Sequence, residues 1–282
     1  MLDDQLLIVD KRGFLTALRD NGSSVETVWK TRISNKGKFK TTPVVTENGD
    51  IFVVSEDRAY GFSSNGSSTF SFRLSEDIEN LVIDQHLGAI YLSSEEELLA
   101  INKDGTVIFD KNVDEDLGEG WLILSPTSRY VYLAGEDELA QFDAATGAML
   151  WRYRTQKDIS FQPIVDSMGR IHLNVYKRMY LVISEEGHLI YSVELDGEFN
   201  GIPTLSDDSN LIVIPTGKKH DTTIEAVSLL SPNPGDVIDA VNTSDPMVWQ
   251  FLGLPTVDIG ADLLHQPNSS RSAVTGKGVT VA

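Results

Sequence analysis

Hydrophobic and polar positions along this chain alternate in short runs. The runs DIFVV (50–54), AIYLS (89–93), YVYLA (130–134), RIHLN (170–174) and NLIVI (210–214) are rich in β-branched and aromatic residues. Alternation with a period of two predicts strands. The first residues of successive runs lie 39, 41, 40 and 40 positions apart. Turn-forming residues separate the runs, as in Glu47-Asn48-Gly49-Asp50, Asp104-Gly105, Ser167-Met168-Gly169 and Asp207-Asp208-Ser209. Gly and Asn accept positive φ at hairpin corners, and Asp caps the local backbone. No window has a convincing amphipathic helical pattern, so the chain is predicted to be all-β.

A second column keeps the same step. Phe70, Phe109, Trp151 and Tyr191 each lie four positions after a glycine, namely Gly66, Gly105, Gly147 and Gly187. Self-similarity at about forty residues is the signature of a four-stranded propeller blade. One unit reads in full from Gly120 to Thr155: strand a (121–125), strand b (130–135), strand c (138–143), a turn through Thr146-Gly147, and strand d (148–154). Comparable units run over 41–74, 81–113, 161–195 and 201–253. The last contains Ser231 to Pro246, whose Pro, Asn and Asp content predicts a long surface loop between its strands c and d.

The first segment starts out of phase. Leu6 to Asp10 reads as strand b, Phe14 to Arg19 as strand c, and Val25 to Ile33, with Trp29, as strand d. A candidate for the missing strand a lies at Gly253 to Gly260 (GLPTVDIG), which echoes Gly201 to Asp207 (GIPTLSD). Pairing strands from both termini would remove exposed edges and gives six blades. The alternative is a fragment of a seven- or eight-bladed propeller, with Gly278 to Ala282 as a further strand b. Residues 1–260 are thus read as the propeller, and 261–282 as a tail or the start of another blade or domain.

Composition narrows the function classes. The 282 residues carry 23 Lys and Arg against 42 Asp and Glu, a net charge of −19. A field of that sign repels phosphate, which disfavours nucleic acid and anionic lipid as partners. The plain reading of the charge is a solvated acidic surface. There is no Cys, which excludes a disulfide framework, a thiolate metal site and a Cys nucleophile. Met1 to Lys11 lacks the basic start and long apolar run of a secretory leader, and no apolar stretch is long enough to span a bilayer as a helix.

The segment Phe142-Asp143-Ala144-Ala145-Thr146-Gly147-Ala148-Met149-Leu150-Trp151 resembles the repeat of the pyrroloquinoline-quinone (PQQ) propeller family. The same pattern is degraded at Gly66–Phe70, Gly105–Phe109 and Gly187–Tyr191. The resemblance implies a structural docking motif of Asp143, Thr146, Gly147 and Trp151, with Trp29 and Trp249 at equivalent strand-d positions. In that motif the aromatic of one blade packs on its neighbour. A large ring buries much apolar area, and an indole N–H can satisfy a nearby carbonyl. Family dehydrogenases hold PQQ and calcium, use a catalytic Asp, and are longer; many carry a vicinal Cys pair. No position here matches their calcium ligands or catalytic Asp, so no cofactor is expected. The non-catalytic branch, which resembles the scaffold lipoprotein of the outer-membrane barrel-assembly machinery, implies a monomeric protein- or peptide-binding scaffold in the periplasm or outside the cell. Fold alone does not establish that activity.

Other chemistry finds little support. The five His (86, 172, 188, 220 and 265) show no zinc-binding spacing, and His172, alternating with Ile171 and Leu173, reads as a satisfied sheet residue. Asp114-Glu115-Asp116 and Glu95-Glu96-Glu97 lack calcium-loop spacing and read as solvated turns. Gly276-Lys277 lacks the earlier glycine of a phosphate loop, because Arg271 stands there. There is no GxSxG, and no pair of carboxylates is placed for glycoside hydrolysis. Asn21, Asn65, Asn242 and Asn268 lie in N-x-S sequons and are also ordinary turn residues. Gly276 to Ala282 resembles the opening strand of a subtilisin-like protease domain, and that resemblance implies a longer chain with an enzyme domain after it.

Overall fold

Short, β-branched segments separated by Gly, Asn and Asp turns favour antiparallel hairpins, and the computed structural model is built of them almost throughout. It describes residues 5–34, 39, 42–55, 58–75, 77–206, 211–218, 221–228, 237–242, 273–274 and 280–281. The chain divides into two units, Met1–Arg154 and Thr155–Ala282.

The first unit holds four sheets, each laid down strand by strand in chain order. Sheet I has β1 (Gln5–Val9), β2 (Phe14–Asp20) and β3 (Val25–Arg32); sheet II has β4 (Val44–Val45), β5 (Ile51–Val54), β6 (Arg58–Phe62) and β7 (Ser68–Arg73). Sheet III has β8 (Asn80–Ile83), β9 (Ile90–Ser93), β10 (Glu97–Ile101) and β11 (Val107–Asn112). A single helical turn, α1 (Glu115–Gly118), leads to sheet IV: β12 (Trp121–Leu124), β13 (Tyr130–Ala134), β14 (Glu138–Asp143) and β15 (Met149–Arg154). Asp114-Glu115-Asp116, read as a turn, thus opens α1.

The second unit holds sheet V, with β16 (Ile164–Val165), β17 (Ile171–Val175), β18 (Met179–Ile183) and β19 (Leu189–Glu194). Sheet VI has β20 (Thr204–Leu205), β21 (Leu211–Lys218), β22 (Asp221–Ser228) and β23 (Val237–Asn242). A further ladder pairs β24 (Ala273–Val274) with β25 (Thr280–Val281), so the expected strand near the end of the chain is present as two residues. The segment Ser231–Pro246 is not the long loop expected from its composition, because β23 lies inside it and pairs with β22. The fourth strand of sheet VI is Val237–Asn242. Trp249, the candidate closing strand 253–260 and Gly276-Lys277 lie outside the described residues.

Packing explains why the middle strands of each sheet read as continuous apolar runs. β5 and β10 are buried along their whole length, as strands covered on both faces must be. One face of β5 and β6 (Phe52, Val54, Ala59) meets Ile90, Leu92, Leu99 and Ile101 of sheet III. The opposite face of sheet III (Tyr91, Leu98, Ala100) meets Leu122, Val131, Leu133 and Ala140 of sheet IV. In the second unit, Tyr180 and Val182 meet Ile212, Ile214 and Val227. The fourth strands β7, β15 and β19 alternate exposed and half-buried residues, as edge strands do.

Candidate functional site

Each of sheets I to VI carries a β-bulge between its last two strands, seen as a register shift at Ala17/Leu18, Gly61/Phe62, Ala100/Ile101, Gln141/Phe142, Val182/Ile183 and Ala226/Val227. Trp29, Phe70, Phe109, Trp151 and Tyr191 stand at that bulge; in sheet VI the place is taken by Asp239. A bulge re-aims a side chain, and in the first unit the aimed ring lands on the next sheet's glycine turn. A methyl on Gly66 would lie 2.5 Å from the Trp29 ring, on Gly105 2.9 Å from Phe70, and on Gly147 2.5 Å from Phe109. Trp29 Nε1 donates to the Ser64 carbonyl at 3.0 Å, and Thr31 Oγ1 donates to the Gly66 carbonyl at 2.7 Å. Gly66 (φ +81°) and Gly147 (φ +68°) also need the left-handed region. The turn before Trp151 is held by Asp143, which accepts from Thr146 Oγ1 at 2.6 Å and from Thr146 N at 2.8 Å; these bonds lower its pKa. Trp151 itself packs on Tyr132, with ring centroids 6.1 Å apart.

Residues of sheets II and III line a groove of about 500 Å³. Its floor is Phe72, Leu74 and Leu99, and its polar lining is Arg73, Ser75, Glu97 and Asp110. Leu74 and Leu99 are buried, while Arg73 and Asp110 are exposed. Glu97 had read as part of a solvated acidic turn; it instead opens β10, is 8% exposed, and accepts from Ser75 Oγ at 2.7 Å. An apolar floor with a few fixed polar groups is the common form of a ligand site. Periodicity could not disclose it, because its residues come from three strands and a connection.

Sheet V carries a buried polar network. Asp166 Oδ1 accepts from the backbone N–H groups of Met168 and Arg170, both at 2.9 Å. Its Oδ2 meets Arg170 Nε at 2.6 Å and His172 Nε2 at 3.1 Å. His172 Nδ1 in turn meets the Tyr180 hydroxyl at 2.5 Å. Burial would raise the Asp166 carboxyl, but the bonds from His172 and Arg170 outweigh it and hold the pKa at about 2. Burial lowers His172 despite Asp166, and it raises Tyr180 well above its ordinary value and Tyr191 to about 12. His172 is thus the satisfied sheet histidine its alternation indicated. The network is enclosed, with His172 and Tyr180 at 3% and 0% exposure, so it braces the sheet and offers a substrate no access.

Other candidate residues remain at the surface. His86 lies 3.4 Å from the Glu47 carboxylate, with both side chains exposed, and His188 is exposed. The two acidic runs converge through α1: carboxylate oxygens of Glu95, Glu115 and Glu119 lie within 4.8 Å of one another, all exposed. The neighbouring Glu115 raises the pKa of Glu95. Among the described residues, no helix is long and apolar enough to cross a membrane.

Residues 94–174 match the family model described as outer membrane protein assembly factor BamB. The fold is similar to that of BamB from Moraxella catarrhalis, with 12% identity and a TM-score of 0.60 over 86% of this chain and 72% of that one. It is similar also to the dihydro-heme d1 dehydrogenase NirN in complex with DHE, with 14% identity and a TM-score of 0.62 over 86% of this chain. This chain spans 55% of NirN. A third similar structure is BBS1N in complex with ARL6DN, with 12% identity and a TM-score of 0.56 over 82% of this chain and 77% of that one. No curated protein matches the sequence. At such identities the likeness carries the fold: the sheets are β-propeller blades, and residues 94–174 match the BamB family model.

Proposed function

From a β-propeller of PQQ-like repeats that resembles BamB, we propose a non-catalytic scaffold that binds a protein or peptide in the cell envelope. The observation behind this reading is the groove between sheets II and III, where Phe72, Leu74 and Leu99 form an apolar floor inside a charged lining. Docked aromatics hold its walls, so a partner would meet a surface already ordered, and preorganisation lowers the entropic cost of binding. The scaffold acts without PQQ or calcium and works as a monomer.

Photoreactive residues placed singly at the exposed positions Asp77, Glu136, Leu87 and Met168 test this in cells. A discrete adduct with one partner from a contiguous subset of positions is expected. Absence of any adduct, together with PQQ- and calcium-dependent dye reduction by the purified chain, would overturn the scaffold in favour of a dehydrogenase-related protein.

A further inference from the structure

The second unit carries a site apart from the groove. We propose that the turn Tyr176-Lys177-Arg178, with Lys157 beside it, docks an acidic segment of a partner protein. An apolar side chain of that segment lies on the Tyr176 ring, and its carboxylates reach Lys157 and Lys177. The partner class rests on the scaffold reading; the place does not.

Sheets II to V each join their second and third strands through three residues. In sheets II, III and IV these are Ser55-Glu56-Asp57, Ser94-Glu95-Glu96 and Gly135-Glu136-Asp137, a small residue followed by two acids. Sheet V has Tyr176-Lys177-Arg178, a large ring followed by two cations. Sheet VI keeps the positive sign, with Lys218 closing β21 and Lys219-His220 next in the sequence. In a chain of net charge −19 this is a local reversal. It draws an acidic segment to sheet V, while the acidic turns of the first unit repel the same segment.

The backbone holds the Tyr176 ring outward at a cost. Tyr176 has φ +53°, a left-handed conformation that a bulky residue rarely adopts, and it is 51% exposed. The connection before sheet V clamps it there. The Tyr176 N–H donates to the Asp158 carbonyl at 2.6 Å, and the Tyr176 carbonyl accepts from Ser160 Oγ. Gln156, in the same connection, is left-handed too, at φ +62°. Strain held at a residue whose ring faces solvent points to a use for that ring outside the fold.

The surroundings supply the charge. Lys157 Nζ and Lys177 Nζ lie 5.4 and 6.0 Å from the Tyr176 ring centroid. The Lys177 carbonyl accepts from the Phe199 N–H at 2.8 Å, and Phe199 meets Phe161 edge-on at 6.4 Å between centroids. Two further half-buried rings thus border the turn. Lys177 pairs with Glu198 at 3.3 Å, and Arg178 pairs with Glu194, all four exposed. Exposed pairs of this kind are weak and exchange readily for an incoming carboxylate. A peptide suits the place better than a phosphate polymer, because aromatic surface adjoins the cations and the net charge opposes a long polyanion.

The test titrates the intact chain with acetyl-Glu-Phe-Glu-amide, following backbone amide shifts by NMR. Acetyl-Gln-Phe-Gln-amide keeps the shape and loses the charge; acetyl-Glu-Ala-Glu-amide keeps the charge and loses the ring. Shifts at Lys157, Tyr176 and Lys177 are expected with the first peptide, and each control should bind about fivefold weaker or worse. Added salt should weaken the first peptide and leave the glutamine peptide little changed. Tyr176→Gly removes the ring and accepts the left-handed φ. It should weaken binding about tenfold and raise Tm, which also shows that the variant is folded. Lys157→Gln should weaken binding about threefold.

Equal affinity for the three peptides, shifts away from this turn, or a fall in Tm with Tyr176→Gly overturns the site. Shifts at the same amides with oligo-dT and none with the acidic peptide also overturn it, in favour of a phosphate ligand. If the acidic peptide binds here but the photoreactive positions give no adduct in cells, the site stands and the scaffold reading falls. An adduct in cells without the peptide shifts leaves the scaffold and removes the site.

Discussion

Sheets III and V build the same cross-strand row from different chemistry. In sheet III the row is Tyr91, Ala100 and Phe109; in sheet V it is His172, Val182 and Tyr191. Tyr91 and Phe109 tilt together at 6.3 Å between centroids, and the Tyr91 hydroxyl donates to the Ala144 carbonyl at 3.2 Å. That row is otherwise hydrocarbon. In sheet V the ring on the second strand is an imidazole, and Asp166 and Tyr180 must be present to satisfy it. Sheets II to V all place a flat ring on the second strand here, Phe52, Tyr91, Tyr132 and His172, and its polarity is free to vary provided that each polar atom finds a partner. Two rows of one shape should then fail under different conditions.

The largest effect is expected in the dry row. Phe109 is 6% exposed and packs on both Tyr91 and Gly147, so Phe109→Ala should cost about 3–5 kcal/mol, read from the urea midpoint. That loss should be the same at pH 5 and pH 7. A loss under about 1 kcal/mol would show that the row is not core. Asp166→Ala comes next, at about 3 kcal/mol at pH 7, because it strands the buried His172 N–H and the Arg170 guanidinium together. Unlike the first, this loss should shrink in acid, where the wild-type carboxylate is itself being protonated.

The pH dependence separates the rows further. Asp166 has a depressed pKa of about 2 against about 3.9 in an unfolded chain, so it contributes stability above the unfolded value. That contribution, about 2 kcal/mol, is lost as pH falls from about 4 through 2. His172 is also depressed, so its stabilising effect is lost as pH falls below the unfolded value of about 6.5. Both act in one direction: stability should decline from neutral pH downward. His172→Phe, which installs the residue that sheet II uses at Phe52, should flatten the upper limb between pH 6.5 and 4.5. An unchanged upper limb in that variant would mean that other groups cause it.

Much of this architecture was legible because it rests on local rules. Gly66, Gly105 and Gly147 stand out four residues before an aromatic because the turn and the docked ring both exclude a side chain there. The fourth strand of sheet VI was taken for a loop for the complementary reason: Asp239 stands at its bulge where the other sheets carry an aromatic, so the mark of a fourth strand is missing from Val237–Asn242. The groove could not be read at all, since its lining comes from three strands and a connection that no single run of sequence contains. Asp166 hid in a turn motif, Ser167-Met168-Gly169, whose composition explains the hairpin without its second role.

The smallest effect concerns the one complete docking turn, and it asks whether the turn or the ring carries the motif. Thr146 donates its hydroxyl to Asp143, but Asp143 also accepts the N–H groups of Ala145 at 3.2 Å and Thr146 at 2.8 Å. Thr146→Val keeps the shape and both backbone bonds to Asp143 and removes two exposed hydroxyl bonds, the one given to Asp143 and the longer one accepted from Ala148 N at 3.3 Å, so it should cost about 0.5–1 kcal/mol. The Asp143 pKa should rise toward its ordinary value, since the bond from Thr146 Oγ1 is the chief cause of its depression; carboxyl carbon NMR reads this directly. Thr146→Ser should restore both. Gly147→Ala in the same turn meets Phe109 at 2.5 Å with φ at +68°, and it should cost more than Thr146→Val. If the order is reversed, the hydroxyl clasp outweighs the docked ring, and the comparison between the dry and polar rows must be redrawn around turns.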